Sequence, residues 1–437
     1  MNLKHRLVAL SCCLGLLLTA PADAQNSARD KKVSALKIGF IHRLRIESWD
    51  NAVHLDASQR SDNTYSRHRT SLVAAWTPRP KLELGLKLTN EFRIYSVPRN
   101  KKFTWHEVFV ESLYLRLQQP ADLPLTLTFG RQDIMLGEGF VVMDGGPLDG
   151  SRSAYFNSAR AEFRIAPKQN LTAFYFYQPP KDNILPLIHG QSQPLVEQPE
   201  EGIGLYYSGM LKSAAVEAYL IRKNIRATDG RPVASGITTL GTRLTLSLVP
   251  ALSFTGEGAI QGGHYGVSGR RAFGGHFHLD YQFEGVLPTP LILTLGGIGL
   301  SGDDPRTHRL EGWDPLFSRW PKWSESFIYT LIPETGKPAY WTNLASLNAG
   351  LKWTPAKPVD LSVTYHRLSA FQKDGTSVFI PGGPGKIRGD LVISKLVFRL
   401  DKRLSGHLWW ETFSPGNYYR SGADSFNWFR FELLLRL

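Results

Sequence analysis

Hydrophobic and polar residues alternate along most of this chain with a period of two. Leu36, Ile38, Phe40, Leu44 and Ile46 share one parity with His42, and Lys37, Arg43, Arg45 and Glu47 take the other. Leu72, Ala74 and Trp76 oppose Arg67, Arg69, Ser71 and Thr77. Leu82, Leu84, Leu86 and Leu88 then oppose Lys81, Glu83, Lys87, Glu91 and Arg93. The stretch from Leu125 to Ile165 shows a whole repeating unit. A strand (Leu125, Leu127, Phe129) breaks into a loop holding Gly137, Gly139, Asp144, Gly145, Gly146, Asp149 and Gly150. It returns as Ala159, Ala161, Phe163 and Ile165 against Arg160, Glu162 and Arg164. A strand with one apolar and one charged face needs an apolar medium on one side and water on the other. A strand pair with a long loop at one end is the unit of a transmembrane barrel.

Magnitude decides which face meets lipid. A basic side chain on the lipid face at mid-bilayer costs roughly 2–4 kcal/mol. The leucine face is therefore the lipid face, and the Arg/Lys/Glu face is the lumen. Short turns are predicted at Thr77–Lys81, Gln119–Pro124, Ala166–Asn170, Gly209–Ser213, Val249–Ala251, Gly285–Pro290, Thr354–Pro358 and Asp401–Arg403. Pro, Gly and Lys punctuate nearly all of them, as hairpins require. Longer connections lie between, including Ser96–Thr104, Gln178–Glu201, Asn224–Gly236, Gly262–Arg270, Gly302–Trp341, Ala370–Arg388 and Phe413–Ala423. Short turns alternating with long loops mark the periplasmic and extracellular ends. Eight short turns, with a first and a last strand, predict an all-β antiparallel transmembrane barrel of about eighteen strands. Two strands, near Ile203–Gly209 and Ala214–Lys223, are weakly patterned. The last is clear: Phe429, Phe431, Leu433, Leu435 and Leu437 oppose Arg430, Glu432 and Arg436.

The N-terminal segment sets the expected compartment. Lys4 and Arg6 precede an apolar run, Leu7 to Ala20, too short to span a bilayer, and Ala22-Asp23-Ala24 has the form of a cleavage site. Residues 1–24 read as a signal peptide and 25–437 as a single barrel domain. Both cysteines, Cys12 and Cys13, fall in the segment removed, so the mature chain relies on its hydrogen-bonded ladder and not on disulfides. After Gln25 no run of eighteen apolar residues occurs, which excludes a transmembrane helix. The formal charge of +13 becomes +12 once Lys4, Arg6 and Asp23 are removed. Export argues against nucleic acid as its partner, and positive charge in a channel wall attracts anionic solutes.

Particular residues also carry a resemblance. The triplet Gly130-Arg131-Gln132, the Gly-containing loop after it, Tyr155-Phe156, and Arg160 and Glu162 are similar to the fingerprint of the alginate export family of outer-membrane barrels. So are the run from Leu88 to Arg93 and the pair Glu111 and Tyr114. The resemblance implies an eighteen-stranded barrel with an arginine-rich lumen that passes a polyuronate, long loops that occlude the pore, and periplasmic export partners. The alternating last strand resembles the signal read by the barrel-assembly machinery, although it ends in Leu437 where Phe is usual. Outer-membrane lipids complete the expected partners, and alginate is one acidic polysaccharide or oligosaccharide among several that fit.

The candidate pore-lining residues are Arg43, Arg45, Arg67, Arg69, Lys87, Arg93, Arg160, Arg164, Arg243 and Lys352. A guanidinium forks onto a carboxylate, which suits a uronate. The bland alternative is that these cations pair with Glu47, Glu83, Glu91, Glu162 and Glu257 and brace the wall. Arg131 shares the parity of Phe129 and would face lipid unless a bulge at Gly130 re-aims it inward or it lies above the bilayer. In Gly302–Trp341, the cations Arg306, Arg309, Arg319 and Lys322 mix with Trp313, Trp320 and Trp323. This loop either folds inward as a constriction, with Arg319 and Trp323 at the substrate, or forms an interfacial tryptophan belt.

The search for chemistry is otherwise empty. Gly297-Ile298-Gly299-Leu300-Ser301-Gly302 matches a dinucleotide motif but sits in a strand with no helix after it. His276 and His278 share a strand face, and Asp303 and Asp304 leave a calcium site open. No nucleophile elbow, zinc spacing or P-loop occurs, so neither catalysis, cofactor nor metal is expected. The expected function is passive, selective passage of anionic solutes, most concretely an acidic glycan. The rivals are a general anion porin, a barrel hydrolase and a plugged structural barrel.

Overall fold

In the computed structural model, residues 35–59, 62–99, 101, 107–144, 155–188, 195–318, 322–337, 340–373 and 382–437 are described. The predicted signal peptide and Arg319 lie outside them. The alternating runs pair into one antiparallel sheet. Its long strands are β1 (Ala35–Asp50), β2 (Asn63–Arg79), β3 (Leu82–Val97), β4 (Val108–Gln118), β5 (Leu125–Gln132) and β6 (Phe156–Ala166). They continue as β7 (Gln169–Gln178), β8 (Glu200–Leu211), β9 (Ala214–Ile225), β10 (Ser235–Val249), β11 (Leu252–Tyr265) and β12 (Ser268–Phe283). The last six are β13 (Leu291–Leu300), β14 (Leu344–Ala356), β15 (Val359–Ser369), β16 (Ile387–Arg399), β17 (Leu404–Pro415) and β18 (Phe426–Arg436). Each pairs with its sequence neighbours, and β1 pairs with β18, so the eighteen strands close into a barrel without free edges.

The predicted parity holds. Leu36, Ile38, Leu72, Leu84, Leu113, Phe129, Leu240, Ile260, Phe277, Leu347 and Trp410 are exposed on the outside. Arg45, Arg67, Glu257, Glu411 and Arg430, of the other parity, are buried. Each of the eight predicted short turns contains a strand-to-strand connection, although some reach into the strands, as at Thr77–Arg79, Gly209–Leu211 and Thr354–Ala356. In three of them Lys81, Lys168 and Lys212 take positive φ of 68°, 61° and 57°. One predicted long connection is corrected. Gly262–Arg270 is mostly strand, because β11 and β12 stay in register through Tyr265↔Ser268 and turn on Gly266 at φ 57°.

The lumen has two unlike halves. Across β7–β10 and β13 the inward residues include Phe174, Phe176, Tyr206, Tyr219, Ile221, Ile237 and Ile298, all buried. These inward apolar residues explain the weak alternation seen in the sequence of β8 and β9. Across β16–β18 and β1–β4 buried charged residues, among them Arg388, Glu411, Arg430, Glu432, Arg43, Arg45, Arg67 and Arg69, alternate with apolar ones such as Leu391, Ile393, Phe413, Trp428 and Trp49.

The apolar half receives two loops. The β5–β6 loop folds into a small hairpin, Ile134–Met135 against Val142–Asp144, and Phe317–Ser318 of the β13–β14 loop pairs parallel to it. Phe140 stacks on Trp313 at 5.1 Å, and Trp323 meets Trp341 edge-on at 5.2 Å. The described parts of the loop from Trp313 to Trp341 therefore fold inward, burying Trp313, Phe317, Phe327 and Trp341 inside the barrel, while Asp303 to Arg309 stays largely exposed.

Inward folding of the β5–β6 loop shortens both strands and leaves a gap beside the top of β4. The two-residue strand Leu187–Ile188, from the β7–β8 loop, fills it by pairing with Val108 and Phe109.

Candidate functional site: a charged lumenal wall facing two inward loops

Alternation in adjacent strands stacks arginines side by side. Arg43 lies opposite Arg69, Arg45 opposite Arg67, and Arg67 opposite Arg93. Directly opposed like charges repel, so the ladder needs carboxylates between them. Glu91 on β3 takes Arg67 at 3.0 Å and Arg69 at 2.8 Å. Glu111 on β4 takes Arg69 at 2.6 Å and Lys87 at 3.0 Å, and accepts the Thr89 hydroxyl. Glu432 holds Arg45 at 2.6 Å, and Glu47 holds Arg430 at 3.1 Å. Arg93 lies over the Tyr65 ring at 5.0 Å. Six arginines and Lys87 thus face four strand carboxylates and Glu325 of the β13–β14 loop, a positive excess. The bracing is real, since each of these five carboxylates is paired, yet seven cations face them.

The inward loops are pinned by charge at both edges. The tip of the β5–β6 loop carries Glu138 to the opposite wall, 2.8 Å from Arg243 and 3.4 Å from His278. The Lys322 ammonium of the β13–β14 loop lies 3.6 Å from the same carboxylate and donates to the Glu138 carbonyl at 2.8 Å. Burial pushes the Glu138 carboxyl up. Hydrogen bonds from His278 and Arg243 and the Lys322 charge outweigh that and hold it well below the usual carboxylate range. Burial lowers the Lys322 ammonium despite Glu138. The other edge reaches the charged wall. Arg430 holds Glu325 at 2.9 Å, and Arg388 grips Glu334 through two bonds of 2.7 and 2.8 Å. Glu411 accepts from the Ser324 and Ser326 hydroxyls and from the Glu325 amide at 2.9 Å.

The predicted residues fall in four places. Arg43, Arg45, Arg67, Arg69, Lys87 and Arg93 form the ladder. Arg243 and Trp323 sit where the loops cross, with Trp323 packed edge-on against His276 and Trp341. Arg160, 3.3 Å from Glu162, Arg164 and Lys352 lie toward the short-turn end. There Arg164 lines a cavity of about 420 Å³ beneath Gly137, and Lys352 lines another of about 410 Å³.

Arg131 is in the wall. Gly130 takes φ of 116°, and a Cβ there would come 2.3 Å from the Leu113 carbonyl oxygen, so glycine is required. The flanking pairs stay in register, so this is a kink without the expected extra residue. Arg131 is 2% exposed, bonded to Asp182 at 2.9 Å, the Val110 carbonyl at 2.7 Å and Asn157 at 3.1 Å.

Glu138, Glu325 and Lys395, which lies over the Trp409 ring at 3.1 Å, are not among the sequence candidates, and Arg430 was named on the last strand but not counted as pore-lining. Its parity, opposite Phe429, already put Arg430 on the lumenal face. Asp304 is occupied by Arg306 at 2.7 Å and Asp303 by the Glu311 amide at 2.7 Å. Among the described residues no cluster of three or more metal-ligating side chains occurs, and no helix is long and apolar enough to cross a membrane.

No family model and no curated protein matches the chain. Solved structures do. The chain is similar to the outer-membrane protein OpdK of Pseudomonas aeruginosa, with TM-score 0.56 and 12% identity over 92% of this chain and 98% of that one. A structure of OpdK with vanillate gives the same values. OccK2 (OpdF) of Pseudomonas aeruginosa, in complex with glucuronate, matches with TM-score 0.54 and 12% identity, covering 92% and 98%. This likeness shows the fold, a closed antiparallel β-barrel like those of these outer-membrane proteins.

Proposed function

We propose that the chain is a selective outer-membrane channel for anionic solutes, with small carboxylates as its main cargo. The carrying observation is the positive excess on one wall of a lumen whose other half is filled by two loops. Arginine forks bind a carboxylate in two directions, and several forks in a row let it step from one to the next. Passage needs such weak, repeated binding and not one deep site. The loops narrow the route, which favours an anion the size of a single sugar acid over an extended chain. The vanillate and glucuronate bound to similar barrels are carboxylates of that size. The reading assigns the chain no catalytic step.

The second reading is passage of an acidic polysaccharide or oligosaccharide such as alginate. The Gly130-Arg131-Gln132 resemblance favours it, although the guanidinium of that triplet is engaged by Asp182. It requires the loops to withdraw.

The test is planar-bilayer conductance of the refolded mature chain under a salt gradient, with glucuronate or polyuronate added. Anion-selective current blocked by glucuronate, and weakened in Arg67→Glu, is expected. Block by polyuronate alone would favour the second reading. Cation selectivity or silence would sink both.

A further inference from the structure

The outer surface of β9–β12 carries a feature that the channel does not use. A groove of about 1090 Å³ opens on the outside of the barrel at its long-loop end. Its floor is Leu220, Leu240, Ile260 and Phe273, one outward residue from each of four adjacent strands, joined by Phe371. The next outward row toward the loops is Arg222, Thr238, Gly262 and Arg271, aligned by register. Arginines therefore sit one residue pair, about 7 Å along the strand, above an apolar floor. The middle of that row is small. Nothing lies within 4 Å of a Cβ placed on Gly262, so the groove is open between the two arginines.

A third arginine is held there by backbone pairing. Leu310 donates to the Gly269 carbonyl at 2.9 Å, and Arg271 donates its amide to the Leu310 carbonyl at 3.0 Å. This clamps the β13–β14 loop onto β12 and fixes Arg309 beside Arg271. Both guanidiniums are exposed, and neither makes an ion pair among the described residues. Arg222 donates to Asn224 at 3.0 Å and Thr238 at 2.9 Å. One carboxylate, Glu311, also lines the groove. On β15 and β16, by contrast, the outward Arg367 is neutralised by Asp390 at 2.6 Å.

We infer that this groove binds a phosphate-bearing lipid of the leaflet at the long-loop end, with acyl chains on the Leu220–Phe273 floor and phosphate between Arg271 and Arg309. The inference rests on the membrane placement proposed above. Exposed, unneutralised arginines directly above an apolar surface match a headgroup carrying negative charge above acyl chains. A soluble anion would leave the apolar floor uncovered.

The refolded mature chain in neutral detergent is titrated with bisphosphorylated lipid A and its retention read by native mass spectrometry. Dephosphorylated lipid A, phosphatidylcholine and inorganic phosphate are the comparison probes. Retention of bisphosphorylated lipid A at least tenfold stronger than that of the dephosphorylated form is expected, falling at least tenfold in R271Q/R309Q. Gly262→Phe keeps the arginines, fills the groove and should lose the lipid too. Equal retention by either variant, equal binding of the uncharged or zwitterionic probes, or displacement by inorganic phosphate alone overturns the inference. Planar-bilayer current from the same preparations should be unchanged by these outward substitutions. Silence with lipid retained would sink the channel reading and leave this one standing.

Discussion

Arg131 and Asp182 form a buried ion pair, 2.9 Å long, across the gap that opens in the barrel wall where β5 and β6 stop early. Arg131 also lies over the Tyr155 ring at 3.8 Å, and Tyr155 donates its hydroxyl to Asp182. The pair ties the segment that carries Leu187–Ile188 to the end of β5, closing the wall while the chain turns inward. Removing one partner of a buried pair costs about 3–5 kcal/mol, because the other charge stays buried and uncompensated. Asp182→Asn is expected to lower the urea midpoint of unfolding, followed by tryptophan fluorescence. Replacing both with leucine should recover most of the loss. An unchanged midpoint in the single variant would mean that the pair does not hold the wall.

Glu138 predicts a pH dependence of the loop latch. Its carboxyl is held below its unfolded value, so protonation is harder in the folded state. A depressed carboxylate contributes stability that is present above the unfolded pKa, about 4.3, and is lost as pH falls through the lower folded value. Single-channel current should therefore be steady from pH 7 to about 5, with larger or noisier openings only at more acid pH. Glu138→Gln should show those openings already at pH 7 and lose the acid response. Identical traces for both proteins would remove Glu138 from the latch.

The fold was legible because a barrel writes itself in alternation, and the parity argument rests on a cost of several kcal/mol per misplaced charge. Where alternation fades, the structure supplies a reason. Tyr219 and Ile221 of β9 face inward against the loop-filled half, so apolar residues stand on both faces of that strand and blur its alternation. The arginine ladder was readable because Arg43, Arg45, Arg67 and Arg69 lie on strong strands. Glu138 was not, since a Gly-rich loop carries no sign of which wall its tip will reach. Arg131 was half-readable: parity flagged it as misplaced, but only the gap beside β4 explains where it goes.

Glu91 offers a test of the ladder opposite in sign to Arg67→Glu. It sits between Arg67 and Arg69 and offsets part of their positive charge. Glu91→Gln should raise the anion-to-cation permeability ratio roughly two- to threefold, about 0.4–0.7 kcal/mol. Arg67→Glu should lower it. Both effects should shrink at 1 M salt, where the Debye length falls to about 3 Å. Shifts of the same sign in both variants would point to general loosening of the wall.

The last prediction concerns the edge of the β13–β14 loop that rests on the charged wall. Glu411 is fully buried and draws its hydrogen bonds from that loop, through the hydroxyls of Ser324 and Ser326 and the amides of Glu325 and Ser326 at 2.9 and 3.1 Å. Removing both hydroxyls leaves the two amides and strips the carboxylate of half its donors. An unsatisfied buried acceptor costs about 1–3 kcal/mol, more for a charged one. That cost falls on the docked loop alone, because the barrel ladder does not pass through these residues. Ser324→Ala with Ser326→Ala should therefore leave the unfolding midpoint of the barrel nearly unchanged while the loop is cut faster by limited proteolysis. Mean conductance should rise in the same preparation. Faster cleavage without a rise in conductance would show that the loop is anchored at Glu411 but does not narrow the route.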